Sequence, residues 1–228
     1  MSTLSRSELS RGELPRIEPL GDSALLLTLT DVASPEGSAR IAWLADAVRG
    51  LQRPEIRDVV PAYCAVAVFL NPDAHPAPIE AALQEVLSAV PPAVPRDASA
   101  RAVRVIPVIY DGPDLADVAA RTGLSTAEVI RHHSARTYQA YFLGFMPGFA
   151  YLGPIDEALV LPRRSEPRRR VPRGSVAIAG AQTGVYPLET PGGWHLLGRT
   201  DVVLFDPSRL TPSLIAAGDL VRFEPVTP

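Results

Sequence analysis

Apolar residues along the first half of the chain follow two alternating periods. The run ALLLTLT at 24–30 has strand composition, and Ser34 after it is suited to cap a helix with Pro35 at its first position. Ile41, Leu44, Ala45 and Val48 then share one helical face, and Gly50 is placed to stop the element. Two strands are predicted at 56–60 and 63–70, divided by Pro61. A second amphipathic helix spans 78–90, with Ile79, Leu83, Val86 and Leu87 on one side and Pro91-Pro92 at its end. A strand at 103–110 completes the order β-α-β-β-α-β, that of a split, ferredoxin-like unit. The stretch PPAVPRDASA at 91–100 reads as an internal loop or as a linker, so the strand after it can belong to either side.

Two short helices follow. One starts near Pro113, turns Leu115, Val118 and Ala119 inward, and stops at Gly123; the other opens on Ser125 and Glu128, a capping-box pair. From Thr137 the texture changes. Short apolar runs (SVAIA, WHLLG, DVVLF, DLVRF) alternate with Gly, Pro, Thr and Asp, the spacing of a β-barrel or sandwich. The expected fold class is α+β, with an α/β domain over 1–100 and a β-barrel domain over 101–228.

Composition narrows the chemistry. With a formal net charge of -3 the chain has no global attraction for nucleic acid or an anionic membrane. No run approaches the roughly 18 apolar residues of a membrane span, and the first twenty residues do not read as a signal peptide; the cytoplasm is expected. Cys64, the one cysteine, reads as a small buried side chain. All 22 basic residues are arginine, which excludes a Schiff-base lysine and a P-loop. The 24 prolines, about twice the usual roughly 5% share, gather after residue 90 and point to rigid loops.

There is no GxSxG, HExxH, CxxC or strand-borne GxGxxG, so neither a nucleophile elbow, nor a metal site, nor a dinucleotide fold is expected. Three segments remain. YFLGFMPGFAYLG at 141–153 combines glycines with an aromatic wall that includes Phe145, Pro147 and Gly148. LPRRSEPRRRVPRGS at 161–175 carries six arginines, among them Arg163, Arg168 and Arg173, whose planar forks suit carboxylate and phosphate. QTGVYPLETPGGWHLLGR at 182–199 offers Gly192-Gly193 as a backbone anion nest, the flat surfaces of Tyr186 and Trp194, and Gln182, Glu189, His195 and Arg199 as polar handles. Each segment also has a plainer reading: an aromatic turn, a solvated basic loop and a glycine hairpin.

Taken in order, GFMPGFAYLG, PRRSEPRRRVPRGSVAIAG, QTGVYPLETPGGWHLLGRT and LFDPSR resemble the 5-oxoprolinase B-type family of carboxyltransferase-like domains (subdomain C or D). That family also includes allophanate hydrolase subunit 1 and the sporulation kinase inhibitor KipI. GDSALLLTL at 21–29 is similar to the family's opening strand, whereas the loop before Gly112-Pro113-Asp114-Leu115 is shorter than usual. The resemblance implies an N-terminal α/β domain joined to a cyclophilin-like β-barrel. It also implies pairing with a C-type subunit and, in 5-oxoprolinase, an A-type (LamB/YcsF-like) subunit. The assembly would open 5-oxo-L-proline to L-glutamate using ATP with magnesium, no recognisable motif of this chain binding the nucleotide. On that reading Arg163, Arg168, Arg173, Gln182, Gly192, Gly193, Trp194 and Arg199 bind substrate or phosphate. Phe145, Pro147, Gly148 and Tyr186 wall the pocket, and Glu189 or His133 handles protons. His133 reads equally as a buried structural histidine. Two rival readings are an amide or urea-derivative hydrolase of the allophanate type and a KipI-like inhibitor of a sensor histidine kinase.

Overall fold

The computed structural model describes residues 14–31, 34–94 and 103–227. Two compact units divide the chain: Met1–Ala33 with Arg40–Ala93, and Ser34–Ala39 with Val94–Pro228.

The first unit is built on a four-stranded antiparallel sheet. Its strands are β1 (Arg16–Pro19), β2 (Ala24–Thr28), β3 (Ile56–Pro61) and β4 (Ala65–Leu70), in the order β1-β2-β4-β3. β4 alternates strictly, burying Val66, Val68 and Leu70. That period of two gives the sheet one core face. Helix α1 (Pro35–Gly50) begins where the sequence indicates, because Ser34 Oγ accepts from the Gly37 N–H at 2.9 Å. Its Ile41, Leu44, Ala45 and Val48 are all buried and join Ile79, Leu83 and Leu87 of α2 (Pro76–Ser88) over the sheet. Burying each of these larger side chains contributes about 1.5–3 kcal/mol. Cys64 is half-buried, outside the core.

The strand expected at 103–110 does not join this sheet. β5 (Val103–Val108) pairs in parallel with β13 (Leu220–Pro225), and the place of a fourth strand in the first unit is taken by β1. In the second unit, β6 (Thr137–Leu143), β7 (Ala150–Gly153), β9 (Ser175–Ala179), β10 (Gln182–Val185) and β12 (His195–Arg199) complete a seven-stranded mixed sheet. Its order is β12-β9-β10-β7-β6-β13-β5. The edges meet where Ile109 and Arg199 exchange backbone bonds of 2.9 and 2.8 Å, so the sheet is nearly closed. A separate two-stranded ribbon, β8 (Arg168–Val171) with β11 (Thr190–Gly192), stands beside it.

Helices α3 (Leu115–Thr122) and α4 (Thr126–Ser134) pack on the same core. Gly123, at φ +72°, ends α3 in the left-handed conformation, and both halves of the Ser125–Glu128 capping box are formed. Among the described residues no helix is long and apolar enough to cross a membrane.

Candidate functional site

The β6–β7 connection, the β10–β12 segment and the arginine loop converge on one pocket. Between β6 and β7 the chain reverses through Gly144–Phe149, closed by bonds from Phe149 N–H to Met146 O and from Gly144 N–H to Phe149 O, both 3.1 Å. Phe145 is held at φ +69°, unusual for a bulky residue, and the residue is 59% exposed. Gly148, at φ +79°, lies against Phe205, where a Cβ would come within 2.6 Å of the Phe205 Cβ. The loop is therefore fixed in a strained conformation that presents an aromatic ring.

Around that ring stand Phe149, Tyr151, Tyr186 and Trp194. Phe149 packs edge-on against Phe145, Tyr186 and Trp194 at centroid distances of 5.6, 5.4 and 5.5 Å. With Arg163, Pro191, Gly192 and Gly193 they line a small open pocket of about 90 Å³. Arg163 has no hydrogen-bond or ion-pair partner among the described residues. Burial raises the Tyr186 hydroxyl above its usual range even though the Trp194 N–H and the Arg163 charge oppose the shift. Burial raises Tyr151 as well. Both phenols therefore stay protonated at neutral pH.

Neither Gly192 nor Gly193 has a positive φ. The pair lies in and just after the extended β11, which is not the alternating geometry of an anion nest. What requires glycine at 192 is Tyr186: a Cβ there would stand 2.5 Å from its hydroxyl. Gly193 O accepts from Arg164 N–H at 2.8 Å.

The six arginines of the loop have different surroundings. Arg164 Nη1 and Arg168 Nη2 both donate to Asp114 Oδ1, at 3.0 and 2.6 Å. Arg170 Nε pairs with Glu189 Oε2 at 2.6 Å, both side chains well exposed. Arg173 is exposed, in the turn before β9.

Of the residues singled out from the sequence, Phe145, Arg163, Tyr186, Gly192, Gly193 and Trp194 meet in the pocket. Pro147 and Gly148 shape the loop that carries Phe145. Glu189 stands just before β11 and pairs with Arg170, two residues before Pro191. Arg199 lies where the edges of the second sheet meet, its Nε 2.9 Å from Asp111 Oδ2, and Gln182 lies at the start of β10; neither lines the pocket.

His133 is in the main core, fully buried. Thr183 Oγ1 donates to Ala177 O, so it accepts from His133 Nε2 at 2.8 Å, and His133 Nδ1 accepts the Tyr110 hydroxyl at 2.7 Å. That pattern fixes the neutral Nε2–H tautomer. Burial lowers its pKa to about 3. The histidine is a structural crosslink without access to the pocket.

Sequence reasoning passed over Phe149 and Tyr151, which stood within the aromatic run, and Asp114. Asp114 read only as part of a helix start, but it is 3% exposed and makes no capping bond of its own.

Residues 15–215 match the family described as "Carboxyltransferase domain, subdomain C and D". The chain is 44% identical over 213 residues to a protein of Escherichia coli O157:H7 named as the B component of 5-oxoprolinase, covering 90% of this chain and 94% of that one. It is 36% identical over 219 residues to the Bacillus subtilis (strain 168) protein of the same name, with 91% of each covered. The crystal structure of TTHA0988 superposes with a TM-score of 0.77 at 40% identity over 90% of this chain; the chain spans 40% of that larger polypeptide.

Proposed function

Because the chain belongs to the carboxyltransferase domain, subdomain C and D, family, we propose that it is the B-type subunit of a 5-oxoprolinase, a hydrolase that opens 5-oxo-L-proline to L-glutamate with C-type and A-type partner subunits. The observation that carries this reading is the juxtaposition of five aromatic rings with the unpaired Arg163. A five-membered lactam acid is a small flat ring bearing one carboxylate. The rings would hold its body, and the Arg163 fork would take its charge. The Tyr186 hydroxyl, kept protonated by burial and accepting the Trp194 N–H, can donate to the lactam carbonyl oxygen. Opening the ring breaks the C–N bond, adds the oxygen of water to the carbonyl carbon and puts a proton on the nitrogen. Glu189, paired with Arg170 just before β11, is the proton-handling group we assign.

ATP drives the reaction in our reading, and no recognisable motif of this chain binds the nucleotide. The chain lacks lysine, and its described residues contain no cluster of three carboxylate, histidine or cysteine side chains for a metal. We therefore assign ATP and its magnesium to the partner subunits, in the cytoplasm. Arg173, Gln182 and Arg199 are assigned to the outer contacts of the assembled complex.

Two finer assignments of fold follow. With β1 counted last, the first sheet takes the order 4-1-3-2 of a split βαβ unit, which supports a circularly permuted ferredoxin-like domain for residues up to about 100. The nearly closed second sheet supports a cyclophilin-like barrel beyond it.

The test is glutamate release and ATP hydrolysis from 5-oxoproline by this chain, alone and co-assembled with its C-type and A-type partners. Turnover only in the assembly is expected, with Arg163→Ala lowering kcat/KM for 5-oxoproline at least tenfold, as loss of a charged hydrogen-bond pair implies. Silence in a mixture that demonstrably assembles would overturn the substrate and point to another amide or urea derivative.

A further inference from the structure

Asp114 occupies the position before α3 where a carboxylate ordinarily accepts from the helix's own first-turn N–H groups, and it makes no such bond. Its two oxygens serve other elements. Oδ2 accepts the Leu196 N–H of β12 at 2.7 Å, while Oδ1 accepts Arg164 and Arg168 from the arginine loop. The backbone beneath it is equally fixed: Asp114 N–H donates to Leu196 O at 3.1 Å and Gly112 N–H to Leu197 O at 3.0 Å. Gly112 permits that approach because any Cβ would run into the Leu196 carbonyl. One buried carboxylate thus ties the edge strand β12 to arginines 50 and 54 residues from Asp114 in sequence.

The tie reaches the pocket from two sides. Arg164 N–H holds Gly193 O, and Arg168 stands opposite Gly192 in the β8–β11 ribbon. Gly192, Gly193 and Trp194 form one wall of the pocket, with Arg163 directly before Arg164. Two guanidinium groups share a single carboxylate, and Arg164 Nε and Arg168 Nη1 are buried without hydrogen-bond partners. Both arginines would otherwise turn these donors to water, so the carboxylate is what keeps them folded inward.

We infer that Asp114 is a positioning residue: it sets the Gly192–Trp194 wall and the Arg163 side of the pocket without touching the ligand. This rests on the pocket's being the substrate site, and the two ideas can be separated by experiment. Trp43 and Trp194 are the two tryptophans of the chain, so in a Trp43→Phe background Trp194 alone reports the wall. Asp114→Asn keeps the shape and removes the charge. In that background it should raise acrylamide quenching of Trp194 about twofold; in the assembled three-subunit enzyme it should raise KM for 5-oxoproline about tenfold with kcat within about threefold. Arg168→Ala, which removes one arm of the tie from the half-exposed side, should give the same pair of changes in smaller measure and guards against an Asp114 variant that does not fold.

Unchanged Trp194 quenching in both variants would overturn the inference. So would a lowered melting temperature with KM unmoved, while Arg163→Ala still raises KM, because Asp114 would then be a stability residue only. If quenching rises in both variants but neither they nor Arg163→Ala affect KM, the tie stands and the reading of the pocket as substrate site fails.

Discussion

The Tyr110 hydroxyl donates to His133 Nδ1 at 2.7 Å, linking the segment that follows β5 to the last turn of α4 inside the core. The histidine passes the chain on to Thr183 in β10, and its ring stacks on Phe223 of β13 at a centroid distance of 4.7 Å. Three elements remote in sequence are thereby joined through one neutral imidazole.

That neutrality makes stability depend on pH. The folded histidine has its pKa lowered to about 3, whereas the unfolded chain protonates it near 6.5. Between those values the unfolded state binds the extra proton, so stability falls as pH falls. The loss from this group alone is about 2 kcal/mol between pH 7 and pH 5. Urea midpoints measured at the two pH values should show it, and His133→Gln should flatten the slope.

Gly192→Ala places a methyl against the Tyr186 hydroxyl, within a wall that cannot give way because Tyr186 is itself buried. The expected cost is about 1–3 kcal/mol of stability. Adding Tyr186→Phe removes the nearest atom, so the double variant should melt higher than Gly192→Ala alone. A double variant that melts no higher would show the crowding to lie elsewhere.

Gly148→Ala combines a left-handed backbone at φ +79° with a Cβ that would press on Phe205. It should destabilise the chain by about 2 kcal/mol or more. Calorimetry of the isolated chain measures this, and the assembled enzyme should lose kcat/KM as Phe145 leaves its place.

Glu189→Gln should lower kcat tenfold or more with KM little changed, if this carboxylate handles the proton. Its exposed pair with Arg170 is worth less than about 1 kcal/mol, so the melting temperature should barely move. Normal kcat in the assembled enzyme would remove Glu189 from the mechanism.

The elements most legible in the sequence were those whose signals are local. α1 follows from Ser34, one apolar face and Gly50; α4 follows from Ser125 and Glu128. The strand β1, reading RIEP, offers no apolar run and exists through its pairing with β2. β5 was recognisable as a strand, but its partner β13 lies at the far end of the chain, where no local pattern points. At the site, the density of aromatics and arginines between 141 and 199 marked the region. The geometry there rests on long-range pairings, above all Asp114 with Arg164 and Arg168, that spacing does not encode.

β13 lies between β5 and β6, so two strands that precede it by many residues are joined only through it. A chain that stops short of residue 220 holds the other six strands with a gap between two of them. The two edges flanking that gap stay open, able to capture a strand from a neighbouring chain until their own arrives. Assembly of this unit therefore waits on β13, and a chain truncated before residue 220 is its association-prone form.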